Sequence, residues 1–173
     1  MSYSGKQIGL LAAAGSAALL FAAFVFQALG YAPCAMCIWQ RYPHVVAIGM
    51  GLLLAIGLPI IPLLLIGAAS AATTAALGVF HTGVERDWWE GPTSCTGSGL
   101  DMSSMSAEDL LSTDGASNLV MCDQVAWEFL TLSMASWNAV FSLVFAGLWV
   151  FAFGMRQSNS TGPSLTSPPT PEA

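Results

Sequence analysis

The chain has 173 residues, 55% of them hydrophobic and only 8% charged, and its mean hydropathy is +0.67. A soluble core wrapped in a charged surface does not have that balance, so the composition is that of an integral membrane protein. No nucleic-acid partner is expected of it. The net charge of −6 describes one loop rather than the whole chain, because nine of the ten acidic residues fall between Glu85 and Glu128.

A bilayer core about 30 Å thick takes ~20 apolar helical residues to cross. Four segments meet that length, at about 8–29, 37–58, 62–81 and 135–153. They predict an all-α membrane protein, a four-transmembrane-helix bundle with a short first outer loop and a long acidic second outer loop. The bundle domain is expected over 1–156. The first apolar run follows Lys6 and is 22 residues long, beyond the ~7–15 of a secretory signal, and reads as a retained helix.

Gly30-Tyr31-Ala32-Pro33 makes the short outer turn that follows. Next comes PCAMCIWQRYPH, residues 33–44. A second helix starting at Val45 would have 14 residues before its end at Leu58, about 21 Å at 1.5 Å per residue, too short to cross. The helix therefore has to begin near Cys34 to Cys37. Cys34, Cys37, Arg41 and His44 then descend as one stripe from the outer surface into the membrane, with Pro43 interrupting the backbone bonding.

That stripe carries chemistry. A helix N-terminus and a guanidinium one turn further on both favour a thiolate, and Cys37, four residues before Arg41, is the more activated sulfur. Cys34 sits nearer solvent, where another thiol can reach it. The two make a redox pair at the lipid–water boundary. Arg41 alone would read as a snorkelling anchor, but the neighbouring CxxC favours a role in the site. His44 reads first as a packing residue, and His81, at the outer end of the third helix, lies at the depth of Arg41 and can hydrogen-bond a bound ligand.

Gly57-Leu58-Pro59-Ile60-Ile61-Pro62 is a tight turn, so helices two and three form an antiparallel hairpin. The polar loop at about 82–134 holds Cys95 and Cys122, separated by 26 residues and suited to a disulfide that closes the loop. Within it, 106–111 reads as a short helix capped by Ser106. Six tryptophans mostly fall near helix ends, as an interfacial belt. The stretch 157–173, rich in Ser, Thr and Pro, reads as a disordered cytoplasmic tail.

Lys6 and Arg156 flank one side of the bundle and Arg41 and Arg86 the other, so positive charge alone does not orient the chain. All four cysteines lie opposite the termini, and disulfides persist outside the cytosol. The termini are therefore expected in the cytoplasm. Three other readings compete with a redox enzyme. One is a non-enzymatic membrane scaffold or sensor with two disulfide staples, another a zinc site of four cysteines, and the third a thiol-dependent metal transporter.

PCAMCIWQR opening helix two, FHTGVERDWWEGPTSC leaving helix three and VMCDQVAWEFLTLSMASWN entering helix four together resemble the disulfide bond formation protein B family, DsbB. The resemblance runs to Arg156. It implies a bacterial inner-membrane thiol:quinone oxidoreductase that holds ubiquinone or menaquinone from the membrane quinone pool and reoxidises a periplasmic thioredoxin-fold thiol oxidase, DsbA-like. By motif position Cys95 is the cysteine attacked by the partner and Cys122 its disulfide mate. Cys34 is the outer CxxC cysteine and Cys37 the one beside the quinone. Arg41 is implied to stabilise the Cys37 thiolate and the reduced quinone, and His81 to lie near the quinone, with His44 a further candidate contact. Gln40 stands where many members have Glu, which removes a possible counter-ion of Arg41.

Overall fold

The structure is a computed structural model, and it describes residues 4–92 and 121–160. The described residues form four long helices, α1 (Gly5–Ala28), α2 (Ala35–Ala55), α3 (Ile60–Glu85) and α4 (Met134–Ser160), with tight turns after α1 and α2 and a small hairpin before α4, β1 (Glu128–Phe129) with β2 (Leu132–Ser133). Cys95 and the short helix expected at 106–111 lie outside the described residues.

Several helix boundaries have a local cause. Ser4 and Gln7 form a capping box at the start of α1. Gly30 and Gly57, at φ +101° and +93°, take the left-handed conformation that closes α1 and α2 and that a side chain would strain. Cys34 is the N-cap of α2, its Sγ accepting the Cys37 amide at 3.3 Å, so the helix begins where the crossing length requires. At α4, Ser133 Oγ accepts the Ser136 amide at 3.2 Å.

The helices pack in sequence order around a square: α1 on α2, α2 on α3, α3 on α4 and α4 back on α1, with little contact between α1 and α3 across the diagonal. Such a bundle brings both chain ends of the described fold to one side. Large apolar side chains, among them Phe21, Leu52, Ile56 and Phe151, are more than half exposed around its outside, the surface a lipid-facing bundle presents. By length and composition α1, α3 and α4 can cross a membrane. The sequence also assigns a crossing to α2, whose apolar character is diluted by Gln40, Arg41, Pro43 and His44. Gln40 and His44 are buried, turned into the bundle rather than toward lipid.

The half of the bundle nearer the termini is an apolar core of Ile8, Ala12, Leu54, Leu64 and Ala71 around Trp149. Trp149 is fully buried there, unlike the interfacial belt expected of the tryptophans as a set. It fits because Gly9 and Gly67 leave room for the indole: a Cβ on Gly67 would sit 2.7 Å from the ring. Gly67→Ala should destabilise the protein by about 1–3 kcal/mol through overpacking, measured as a lower thermal midpoint in detergent. An unchanged midpoint would show that the indole has slack. At its other end α4 continues to Ser160, past the position where composition places the start of the tail.

Candidate functional site

The opposite half of the bundle is polar inside. Cys34 Sγ lies 3.0 Å from Cys37 Sγ as a hydrogen-bonded dithiol, so closing a disulfide requires a shift of about 1 Å. Helix geometry produces this: Cys34 caps α2, and the next turn brings Cys37 over it. The Cys34 thiol is pushed well above its ordinary range, first by the sulfur–sulfur hydrogen bond and then by burial. Cys122, also fully buried, packs with Cys34, Met36 and Val84 in one cluster. The loop cysteine and the CxxC are thus neighbours although 88 positions separate Cys34 from Cys122 in the chain.

His81, 2% exposed, stands behind the dithiol. Its Nε2 is 3.5 Å from Cys34 Sγ and 3.9 Å from Glu85 Oε1, one helical turn on, and the Cys122 backbone also hydrogen-bonds to the ring. Glu85 is held in turn by the Ser133 hydroxyl. A ladder from Ser133 to Ser136 and from Ser136 to Thr82, each step 3.0 Å, ties the start of α4 to the end of α3. Arg86 donates to the Thr131 carbonyl at 2.8 Å, pinning the hairpin over this end.

Arg41 leans the other way, onto α1. Its Nη1 donates to Gln27 Oε1 at 2.8 Å and its guanidinium lies 4.9 Å above the Phe24 ring. No carboxylate pairs with it among the described residues, and it stands in the cavity wall. Gln40 is not its partner. The Gln40 side chain points into the bundle, where Nε2 contacts Met36 O at 3.3 Å and His81 Nδ1 at 2.9 Å. Gln40 Oε1 accepts from Asn138 Nδ2 at 2.6 Å, and Asn138 Oδ1 meets His44 Nε2 at 2.9 Å.

Cys34, Cys37, Arg41, His44 and His81 therefore line a single cavity of about 200 Å³, whose remaining walls are mostly apolar, with Leu20, Phe26, Ala135 and Phe141 among them. An apolar chamber with a few convergent polar groups suits a flat, lipid-soluble ring bearing polar oxygens. One buried atom there has no partner among the described residues, His44 Nδ1, and that orphaned group fits a ligand with polar atoms of its own. Cys34 Sγ, Cys37 Sγ and His81 Nε2 also lie within 4.8 Å of one another. A soft metal ion could use them only with both thiols deprotonated and Nε2 free of hydrogen.

A family model described as disulfide bond formation protein DsbB matches residues 5–152. The chain belongs to the DsbB family. No curated protein and no solved structure matches it. Membership in DsbB makes this a membrane oxidoreductase of disulfide-bond formation, and its matched span includes the first three long helices, α4 as far as residue 152, and every cysteine.

The residues missed in the sequence are the polar ones that hold this DsbB site together: Asn138, Glu85, Thr74 and Gln27. Asn138 and Thr74 were legible in principle, since a polar side chain on an otherwise apolar helix faces the bundle interior. Gln27 and Glu85 sit at helix ends, where polarity is ordinary, and gave no signal.

Proposed function

We propose that this protein is a thiol:quinone oxidoreductase of the bacterial inner membrane, with cytoplasmic termini and periplasmic cysteines, that reoxidises a DsbA-like thioredoxin-fold partner. The observation that carries the reading is the cavity in which the CxxC dithiol, a guanidinium with no carboxylate partner among the described residues, and two imidazoles meet apolar walls.

A partner thiolate attacks Cys95 of a Cys95–Cys122 disulfide, and Cys122 leaves with the electron pair. The partner's second thiol then attacks the mixed disulfide, releasing oxidised partner and Cys95. Cys122 is packed against Cys34, so its thiolate attacks Cys34 Sγ, breaking the Cys34–Cys37 bond and expelling Cys37 as thiolate. Exchange between apposed sulfurs costs little. Cys37 now carries the pair in the cavity wall it shares with Arg41, whose fixed charge stabilises an anion there. A bound ubiquinone or menaquinone would supply a two-electron, two-proton acceptor, and Arg41 would hold its oxygen from the cavity wall, with His44 beside the ring.

Protein purified in mild detergent should retain extractable quinone, near one per chain, and should oxidise a reduced periplasmic dithiol protein only when quinone is present. A stapled scaffold would hold none and would leave the dithiol reduced.

A further inference from the structure

His81, Gln40, Asn138 and His44 form one chain of side chains across the bundle, on α3, α2, α4 and α2 in turn, with contacts of 2.9, 2.6 and 2.9 Å. Its direction is fixed at one point. Gln40 lies 3.3 Å from the Met36 carbonyl, which can only accept, so the amide nitrogen and not the oxygen is on that side.

The rest follows atom by atom. The same nitrogen donates to His81 Nδ1, which must then offer its lone pair, leaving the hydrogen on Nε2. Around Nε2 stand acceptors, Cys34 Sγ at 3.5 Å, Glu85 Oε1 at 3.9 Å and the Cys122 backbone. At the other end, Gln40 Oε1 requires the Asn138 amide nitrogen, which also reaches Thr74 Oγ1 at 3.4 Å, while Thr74 spends its own hydrogen on the Gln40 carbonyl. Asn138 Oδ1 thus faces His44 Nε2 and accepts its hydrogen. His44 Nδ1 is left as a lone pair in the wall of the cavity, buried and without a partner among the described residues.

We propose that Gln40 and Asn138 are positioning residues that lock both imidazoles as Nε2–H tautomers, so that His81 turns its N–H toward Cys34 and the Cys122 backbone while His44 presents a bare acceptor to the cavity. The functional part rests on the redox reading above. When Cys95 attacks Cys122 of a Cys34–Cys122 disulfide, the Cys95–Cys122 bond forms and Cys34 leaves with the electron pair, and the His81 N–H stabilises that thiolate. At the far end, an acceptor matches the hydroxyl of a quinol and repels the carbonyl of a quinone. His44 therefore favours the reduced ligand. The same lock takes His81 Nε2 out of the metal-donor set. It also gives Gln40 a meaning that loss of a counter-ion does not: a carboxylate here would accept from Nδ1 and reverse the His81 tautomer.

The chain has two histidines, so ¹⁵N-histidine labelling of the detergent-solubilised protein reads both sites and nothing else. Wild type should give two neutral imidazoles with the hydrogen on Nε2. Gln40→Glu should move the His81 hydrogen to Nδ1, or protonate the ring, and leave His44 as it was. Release of Cys34 from a trapped Cys34–Cys122 disulfide should slow by about tenfold or more in Gln40→Glu. A reduced quinone analogue, but not the oxidised one, should shift His44 Nδ1. Nδ1–H at His81 in the wild type would overturn the proposal whether or not the protein turns over quinone. An unaltered His81 in folded Gln40→Glu would do the same. Correct tautomers in a protein that reduces no quinone would instead count against the redox reading alone.

Discussion

Cys122→Ser should abolish oxidation of the reduced partner, by on the order of 10³-fold or more, because a hydroxyl cannot form the disulfide through which the electron pair reaches Cys34. Cys122 is fully buried against Cys34, and serine there costs stability as a buried hydroxyl, about 1–3 kcal/mol. Folding and catalysis are separated by a small dithiol that reduces Cys34–Cys37 directly through the cavity: it should still drive quinone reduction in the variant. Full turnover with the protein partner in Cys122→Ser would remove the loop cysteine from the route. Loss of both activities, with an unfolded thermal profile, would mean that the sulfur is a packing group.

Arg41→Ala has the second large expected effect. The guanidinium is held by Gln27 and Phe24, both neutral, so its charge is available to the cavity it lines with Cys37. A hydrogen bond to a charged group contributes about 1.5–3 kcal/mol, which is about 10–100-fold in the apparent KM for quinone or in the rate of its reduction. Disulfide exchange between partner and loop should stay within about twofold, since no step of it touches Arg41. Arg41→Lys should restore part of the loss, because Lys keeps the charge but not the two-pronged geometry. Equal quinone kinetics in wild type and Arg41→Ala, across quinone concentrations, would refute the role.

The bundle was legible because membrane crossing imposes a length on each apolar run, and Gly30 and Gly57 punctuate those runs where the chain must turn. The start of α2 followed from the same length argument, and it put Cys34 at the N-cap and Cys37 one turn inside. Two classes of feature were not legible. Long-range apposition was one: Cys122 lies against Cys34 because the ladder of Thr82, Ser133 and Ser136 draws the ends of α3 and α4 together, and no spacing in the chain encodes that. Polar partners were the other. Gln40 read as the loss of a negative charge beside Arg41, yet α2 points the two side chains in different directions, Gln40 into the bundle and Arg41 onto α1. Trp149 followed neither the belt nor the site, because glycines on two neighbouring helices open a slot for it.

The central claim is that each partner dithiol delivers one electron pair through Cys34–Cys37 to a quinone in this cavity. The most direct measurement is anaerobic stoichiometry with the purified protein, counting partner disulfides formed and quinol produced in the same reaction. One quinol per disulfide, falling to none in Cys37→Ser, is the predicted result. Disulfides formed without quinol, or quinol formed by Cys37→Ser at the wild-type rate, would contradict it.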